Sequence, residues 1–342
     1  MNLLNRGRLE RCVETLWYGK TAYALLLQPF AAIFGVLVAA RVGAYRRGWL
    51  HQERIPAPVI VVGNITAGGT GKTPVVAWLA HKLAEAGLKP GVVSRGYGGR
   101  SGRDPVMVAG ATSVREVGDE ALVLARQTGV PICVGADRVA AARHLLANTS
   151  VNVIIADDGL QHYRLARDLE IAVVDGRRGI GNGRMLPAGP LREPACRLAQ
   201  VDVVLVNGAE TVSIGGFSTG NGFELLPGAA VSLDGSVRRG LERFCGMRVW
   251  AVAGIGNPLQ FIEMLKTFAI DPEPVAVADH GVVSLRALRN QQPWPVLMTE
   301  KDAVKYLDDP TEDIWYVPVD VQMSAPAETL LMSQIRAMTA ND

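Results

Sequence analysis

The chain has 342 residues, of which 49% are hydrophobic and 20% are charged, and its formal net charge is +2. This length allows two domains with a substantial core, and the composition excludes a disordered chain. A charge so close to zero excludes recognition of nucleic acid by bulk positive charge, so we expect no nucleic-acid partner. The four cysteines lack metal-like or disulfide-like spacing, which fits a reducing cytoplasm.

Residues 1–50 contain an apolar stretch with basic clusters on both sides. Twenty consecutive residues at positions 21–40 carry no charge, a length that could span a bilayer. Positive charge at both ends argues against a single span, and Gln28-Pro29 interrupts the stretch. We interpret residues 1–50 as a membrane-associated helical segment, an interfacial or half-inserted hairpin whose two basic flanks bind anionic headgroups. A helix buried against the globular body is the alternative, and a spanning helix also stays open.

From residue 51 the pattern alternates short apolar runs with helical periods, which is typical of a doubly wound α/β domain. The predicted strands lie at 59–62, 91–94, 106–109, 131–134, 151–156, 170–174 and 201–206. The predicted helices lie at 73–86, 119–127 and 137–147. Residues 175–198 are rich in Gly, Pro and Arg, and we interpret them as a long functional loop. The sequence thus predicts a mostly parallel sheet in a first domain at residues 51–208.

The remainder of the chain predicts a linker and a second, smaller α/β domain. Residues 209–246 start with glycine and polar residues, and a short antiparallel ribbon is one form that this linker can take. Residues 247–342 have predicted strands at 248–253, 275–278, 296–299 and 314–319, and a last helix at 327–338. We expect this domain to close a cleft. Its Gly254-Ile255-Gly256 turn lacks the third glycine and the downstream acidic residue that a dinucleotide-binding motif requires.

A glycine-rich loop between the first predicted strand and its helix carries the strongest functional signal. Backbone N–H groups of such a loop surround phosphate oxygens, its lysine reaches the β- and γ-phosphates, and its hydroxyl residue binds Mg²⁺. The loop residues are Thr66, Ala67, Gly68, Gly69, Thr70, Gly71, Lys72 and Thr73. Thr66 departs from the common pattern, which begins with Gly. The context of strand, loop and helix predicts a nucleoside triphosphate site in a P-loop NTPase-like domain.

Other polar segments are ambiguous by themselves. Asp157-Asp158 ends an apolar strand and could bind Mg²⁺ beside a phosphate loop, or form an ordinary turn. Asp119 in the first turn of a helix, and Asp279-His280 after a strand, each have a plain structural interpretation. The arginine-rich loop could bind a second phosphorylated ligand or the transferring phosphoryl group, or could be a solvated basic loop.

Taken together in their order, these segments resemble the tetraacyldisaccharide 4′-kinase family. The resemblance covers nearly the whole chain, and this family has Ser or Thr where Thr66 stands. The motifs that carry it are 62–74 (VGNITAGGTGKTP), 94–97 (SRGY), 118–120 (GDE), 157–162 (DDGLQH), 186–194 (LPAGPLREP), 279–280 (DH) and 299–305 (TEKDAVK).

This resemblance implies an enzyme that transfers the γ-phosphate of ATP to the 4′-hydroxyl of a tetraacyldisaccharide 1-phosphate in lipid A biosynthesis. It implies ATP and Mg²⁺ as cofactors, and no obligate protein partner. It also implies a peripheral or monotopic place at the cytoplasmic face of the inner membrane of a Gram-negative bacterium, where the anionic surface and the lipid precursor are the partners.

By motif, Asp119 is similar to the catalytic carboxylate of the family and His280 to its supporting histidine, with Lys72 as a further catalytic residue. Ala278 departs from the Pro that members often have before Asp279. The expected Mg²⁺ ligands are Thr73, Asp157 and Asp158, and the expected substrate contacts are Tyr97, His162, Arg192 and Glu193.

The second hypothesis is a membrane-associated P-loop NTPase switch that regulates a protein partner. Partitioning ATPases have a Lys where Ala67 stands, and GTPases read guanine through an Asn-Lys-x-Asp motif. The tetrapeptide at 207–210 is NGAE and lacks that Lys. Both absences favour ATP and transfer to a substrate.

Overall fold

In a computed structural model of the protein, the structure describes residues 13–19, 23–99, 104–110, 112–208, 212–214, 217–277, 281–307, 309 and 311–339. The strands of these residues are β1 Val59–Gly63, β2 Pro90–Ser94, β3 Val106–Met107, β4 Ile132–Val134, β5 Val153–Asp157, β6 Leu169–Asp175, β7 Val203–Asn207, β8 Val212–Ile214, β9 Phe217–Thr219, β10 Gly222–Pro227, β11 Ala230–Ser232, β12 Arg238–Arg239, β13 Arg248–Val252, β14 Asp271–Val275, β15 Val296–Thr299, β16 Ile314–Val317 and β17 Val319–Met323.

The α-helices that we label are α1 Tyr23–Leu26, α2 Gln28–Arg46, α3 Lys72–Glu85, α4 Val114–Val117, α5 Asp119–Thr128, α6 Arg138–Asn148, α7 Pro258–Thr267, α8 Leu285–Gln291, α9 Glu300–Ala303 and α10 Ala325–Thr339. Residues 13–18 are helical as well. Short 3₁₀ helices cover Ala195–Gln200 and Leu241–Phe244.

The larger sheet has nine strands in the order β17-β10-β7-β6-β1-β5-β2-β4-β3. Its pairs are parallel except at the two edges, where β3 and β17 run antiparallel to their neighbours. The central strand β1 is buried over its whole length: Ile60 and Val62 pack on one face of the sheet, and Val59 and Val61 on the other. Helices on both faces explain why its sequence is a continuous apolar run. The predicted doubly wound, mostly parallel sheet is confirmed.

The smaller sheet has six strands in the order β12-β11-β16-β15-β13-β14 and a core of its own. The strand predicted at 275–278 was placed too late, because β14 spans Asp271–Val275 and pairs with β13 through Arg248 and Asp271. The sequence did not indicate this strand because it contains two prolines, Pro272 and Pro274. They are tolerated because β14 lies at the edge of the sheet, where not every backbone N–H needs a partner.

The chain returns to the larger sheet after it has formed the smaller one. The strand predicted at 314–319 is divided at Pro318: β16 belongs to the smaller sheet, whereas β17 pairs with β10 in the larger one. The last helix, α10, also packs on the larger sheet through Ala327, Leu331 and Ile335. β8 and β9 form a two-stranded antiparallel ribbon. The domain boundaries at residues 50, 208 and 246 stay predictions, and sheet membership crosses them.

The apolar N-terminal segment forms the helix α2, which is long and apolar enough to cross a membrane. Only 6% of its most apolar 18-residue window is buried, so the alternative of a helix buried against the body is wrong. Pro29 lies in the first turn of α2 and therefore starts this helix instead of interrupting it. The other end is attached to the body, where Tyr45 stacks on Tyr163 at 5.9 Å between ring centroids and Arg46 donates a hydrogen bond to Gln200.

Candidate active site

The predicted site residues converge at the carboxyl edge of the larger sheet. Val62 on β1 is opposite Asp157 on β5, and Asp175 on β6 is opposite Asn207 on β7. The loops after these four parallel strands therefore open at the same edge, where ligands bind in open α/β sheets.

The glycine-rich loop after β1 has the backbone geometry of a phosphate loop. Gly68 and Gly71 have φ values of 109° and 93°, a region that favours glycine. Gly63 is required for a different reason, since a Cβ atom built there would lie 2.7 Å from the Leu160 side chain. The helix α3 begins at Lys72, so its free N–H groups and dipole point into the loop. Thr70 Oγ1 is buried without a hydrogen-bond partner among the described residues.

The loop at residues 186–194 forms backbone hydrogen bonds with the start of this phosphate loop. The Ala67 N–H donates to the Pro190 carbonyl at 2.7 Å, and the Arg192 N–H donates to the Ile65 carbonyl at 2.7 Å. Thr66 forms an antiparallel bridge with Leu191 between these two bonds. Thr66 thus has an extended, strand-like pairing that does not need glycine. This pairing explains why the first position of the loop does not require glycine.

The two adjacent aspartates after β5 have different environments. Asp157 is buried, and burial, followed by the charges of Glu120 and Asp158, raises its pKa to about 7. Its Oδ1 has no hydrogen-bond partner in the described part of the chain. Asp158 instead lies 3.5 Å from Lys72 Nζ and 3.0 Å from an Arg192 nitrogen.

Burial by itself would raise the pKa of Asp158, but the two neighbouring cations outweigh burial and hold it below its usual range. The structure therefore distinguishes a carboxylate that binds cationic side chains, Asp158, from one with an unsatisfied buried oxygen, Asp157.

Arg138 at the start of α6 is a buried charge that the sequence patterns did not reveal. Its guanidinium donates to the Gly135 carbonyl at 3.2 Å, and burial lowers its pKa despite the charges of Asp157 and Asp158. Burial and this cation also lower the pKa of His162 to about 4, so that imidazole is neutral at pH 7. Arg138 follows β4 after a short turn and so lies at the same edge of the sheet as the other site residues. This position was the signal from which a role in the site could have been predicted.

The Asp119 carboxylate faces a lysine of the smaller sheet. Asp119 is the first residue of α5 and is 1% exposed, and its Oδ2 lies 3.8 Å from Lys305 Nζ. Glu120 pairs with Lys301 at 3.2 Å across the same boundary. The segment 299–305 thus contacts α5, although the sequence assigned it no role beyond a family motif. The predicted partner, His280, lies outside the described residues.

A second contact brings the smaller sheet to the phosphate loop itself. A Cβ atom built on Gly256 would lie 3.3 Å from the Gly69 amide nitrogen. The turn at 254–256, which follows β13, therefore lies against the phosphate loop while Lys305 lies against Asp119. The phosphate loop and Asp119 therefore both contact segments that belong to the smaller sheet or connect its strands.

Two predicted substrate contacts differ in exposure. Tyr97 is 61% exposed, and its carbonyl is so close to Gly118 that a Cβ on that glycine would lie 2.3 Å away, so Tyr97 adjoins Asp119. Glu193 is buried and accepts a hydrogen bond from Tyr163 at 2.9 Å, with Arg197 at 3.3 Å. Burial raises the pKa of Glu193. Substrate contact by either residue stays a prediction.

Comparisons with known proteins place this site in a family. A family model described as LpxK, tetraacyldisaccharide-1-P 4′-kinase, matches residues 23–336. The chain belongs to the tetraacyldisaccharide 4′-kinase family. It is therefore an enzyme of the kinase class, and the family predicted from the motifs is confirmed.

Individual tetraacyldisaccharide 4′-kinases match along almost their full length. The protein of that name from Pseudomonas putida strain F1 is 47% identical over 307 residues, which cover 90% of this chain and 91% of the relative. The one from Alkalilimnicola ehrlichii is 49% identical over 298 residues, or 86% and 88%. A crystal structure of LpxK from Aquifex aeolicus in complex with ATP has a TM-score of 0.76 and 26% identity, and covers 92% of this chain and 99% of that one.

Proposed function

We propose that this member of the tetraacyldisaccharide 4′-kinase family transfers the γ-phosphate of ATP to the 4′-hydroxyl of a tetraacyldisaccharide 1-phosphate. The product belongs to lipid A biosynthesis. The observation that supports the proposal is that the phosphate loop and the buried Asp119 both contact segments of the smaller α/β unit.

The phosphate loop supplies the ATP site. Its backbone N–H groups, the start of α3 and Lys72 provide positive potential for the β- and γ-phosphates. The related Aquifex aeolicus protein has been crystallised with ATP, which supports the same ligand here. Lys72 would exchange its pairing with Asp158 for the phosphates, and Arg192 would remain to neutralise that carboxylate.

The donor set beside this loop fits Mg²⁺. Among the described residues no cluster of three or more acidic, His or Cys side chains could by itself hold a metal ion, which is the usual situation when nucleotide phosphates supply the other ligands. Asp157 offers a buried oxygen that has no hydrogen-bond partner among the described residues, and a bound cation would favour the ionised form of this carboxyl, whose pKa burial raises. Thr73 and Asp157 would hold the ion, and Asp158 would stay paired with Arg192. Bound Mg²⁺ would neutralise charge on the phosphates.

Asp119 would act as the base for the acceptor. A sugar hydroxyl is a poor nucleophile at neutral pH, so a positioned carboxylate that accepts its proton during transfer accelerates the reaction. His280 follows as the residue that would orient this carboxylate. Tyr97, His162, Arg192 and Glu193 are the proposed contacts and supports for the lipid disaccharide.

The N-terminal segment fits a lipid substrate. The surface of α1 and α2 presents large apolar side chains, which include Leu26, Phe30, Ile33 and Leu37, each more than half exposed. An apolar helix with basic flanks binds anionic membrane surfaces. We infer that the enzyme works at the cytoplasmic face of the inner membrane of a Gram-negative bacterium, where the acyl chains of the substrate stay in the bilayer.

A transfer assay with γ-labelled ATP tests the proposed function. The purified full chain is incubated with Mg²⁺ and the detergent-dispersed lipid disaccharide 1-phosphate, and the label is followed in lipid and in inorganic phosphate. We expect label in the lipid at the 4′ position, with slow release to water when the lipid is omitted. Hydrolysis that is unaffected by the lipid, without lipid labelling, would favour the NTPase switch and overturn the proposal.

A further inference from the structure

We propose that Lys305 is a positioning residue that holds the Asp119 carboxylate ionised and aimed into the cleft from the smaller sheet. The inference rests on the proposed function of Asp119 as the base. It concerns a residue that lies outside the phosphate loop and its acidic partners.

Lys305 is a buried cation at the meeting point of three segments. Its side chain is 3% exposed, and its ammonium lies 3.8 Å from Asp119 Oδ2 and 2.7 Å from Asp302 Oδ1. The ammonium also donates to the Gly281 carbonyl at 3.3 Å. Asp119 begins α5, Asp302 belongs to α9, and Gly281 directly follows the predicted His280 in the sequence. One side chain therefore contacts Asp119, Asp302 and Gly281.

Asp302 fixes Lys305 in this place. The other oxygen of Asp302 accepts hydrogen bonds from Thr299 Oγ1 at 2.6 Å and from the Gly254 N–H at 2.8 Å. Gly254 begins the turn that lies against the phosphate loop through Gly256. The lysine is consequently held by a buried carboxylate of α9 whose two oxygens both have partners, and not by a surface contact.

The Lys305 ammonium lies closer to Asp302 than to Asp119, and this difference indicates its role. With Asp302 the ammonium makes a close ion pair, whereas it faces Asp119 Oδ2 at the longer distance, and Asp119 Oδ1 accepts a hydrogen bond from the Glu120 N–H at 2.9 Å. A positive charge within about 4–6 Å of a carboxylate favours its ionised form. Among the described residues, the other charged groups near Asp119 include Glu120 and Lys301, which pair with each other, and Asp302. Without Lys305, the buried carboxylates of Asp119 and Asp302 would lose the cation that lies next to both of them.

The test compares Lys305→Met, which keeps the length of the side chain, with Lys305→Arg, which keeps its charge. In the transfer assay we expect Lys305→Met to lower kcat roughly 100-fold, because a small misplacement of a catalytic group costs about that much, while the KM for ATP stays near the wild-type value. The acidic limb of the kcat–pH profile should move to higher pH by about one unit. Lys305→Arg should keep the wild-type profile and recover most of kcat.

Lys301→Met is the matched control, since Lys301 links the same two elements through Glu120 and not through Asp119. We expect a smaller loss of kcat and no shift of the pH profile. If Lys301→Met and Lys305→Met have equal effects, Lys305 only holds the interface together and the inference is overturned. To exclude misfolding, Lys305→Met is combined with Asp302→Asn, which removes the unpaired buried charge. A stable double variant with a wild-type kcat and pH profile would also overturn it.

Failure of this inference and failure of the proposed function give different results. If the wild type transfers phosphate and Asp119→Asn does not, while Lys305→Met behaves as the wild type, only the role of Lys305 is wrong. If the wild type labels no lipid, the proposed function itself fails.

Discussion

Lys72 and Asp158 lie 3.5 Å apart in a site that must also hold phosphates, so the same lysine has two possible anionic partners. We expect Lys72→Met to lower kcat for phosphate transfer by roughly 10²- to 10³-fold, because it removes a donor aimed at developing charge. Lys82→Met is the control on the same helix: Lys82 makes surface ion pairs with Glu85 and Glu328, which contribute little. The transfer assay measures both variants. A Lys72→Met enzyme as active as Lys82→Met would contradict the site.

His162 provides a prediction about stability and pH. Burial and Arg138 lower its pKa from 6.5 to about 4, so the contribution of this histidine to stability is complete above pH 6.5 and is lost as pH falls toward 4. Between pH 7.5 and pH 5 the wild type should lose about 2 kcal/mol more of its free energy of unfolding than His162→Gln. Denaturant titrations at both pH values measure this difference.

The exposed His51 provides the control for that experiment, since its replacement by Gln should leave the wild-type pH dependence unchanged. Equal losses in the wild type and His162→Gln would show that the imidazole is not kept neutral by the fold.

At the residue scale, the sequence predicts those features of the site that depend on residues close together along the chain. The phosphate loop and Asp157-Asp158 each depend on neighbours along the chain, and both lie where strand-end reasoning placed them. Arg138 and Lys305 could not be assigned, because their roles depend on contacts with residues far away in sequence. The different roles of Asp157 and Asp158 could not be predicted either, because they depend on the positions of Lys72 and Arg192.

At the scale of elements, strands with continuous apolar runs were predicted well because both faces of the larger sheet are buried. The edge strand β14 was misplaced because its prolines resemble a loop, and β10 was missed because its sequence alternates between buried and exposed positions without a clear period. Pro29 was taken as a break in the apolar stretch, whereas it lies in the first turn of α2. The errors at β14 and at Pro29 share one cause: the effect of proline depends on where it lies in an element and in a sheet.

The exposed apolar surface of α2 makes a prediction about membrane binding. The triple change Phe30→Gln, Ile33→Gln and Leu37→Gln keeps good helix formers but removes apolar area worth about 1.5–3 kcal/mol per side chain when it is fully buried. We expect co-sedimentation with anionic vesicles to weaken by more than roughly tenfold, with transfer to detergent-dispersed lipid retained.

The matched control for α2 is the triple change Leu226→Gln, Leu259→Gln and Val282→Gln, which alters exposed apolar residues of the body. Vesicle binding should stay at the wild-type level in this variant. If the α2 variant binds vesicles as tightly as the control variant, another surface of the protein holds the membrane.

At the scale of the whole molecule, the sequence predicted two α/β units but not their exchange of segments. The strand β17 and the helix α10 return to the larger sheet, so the smaller sheet is an insertion held at both ends. This arrangement brings Gly256 to the phosphate loop and Lys305 to Asp119. These contacts are therefore a product of topology that no single motif could indicate.

The most direct test of the central claim measures transfer and ATP binding in the same variant, Asp119→Asn. Because Asp119 is proposed to accept the proton of the acceptor hydroxyl and not to bind ATP, its kcat should fall by about 10²- to 10⁴-fold. Its dissociation constant for ATP should stay near the wild-type value. Wild-type turnover in Asp119→Asn would contradict the account.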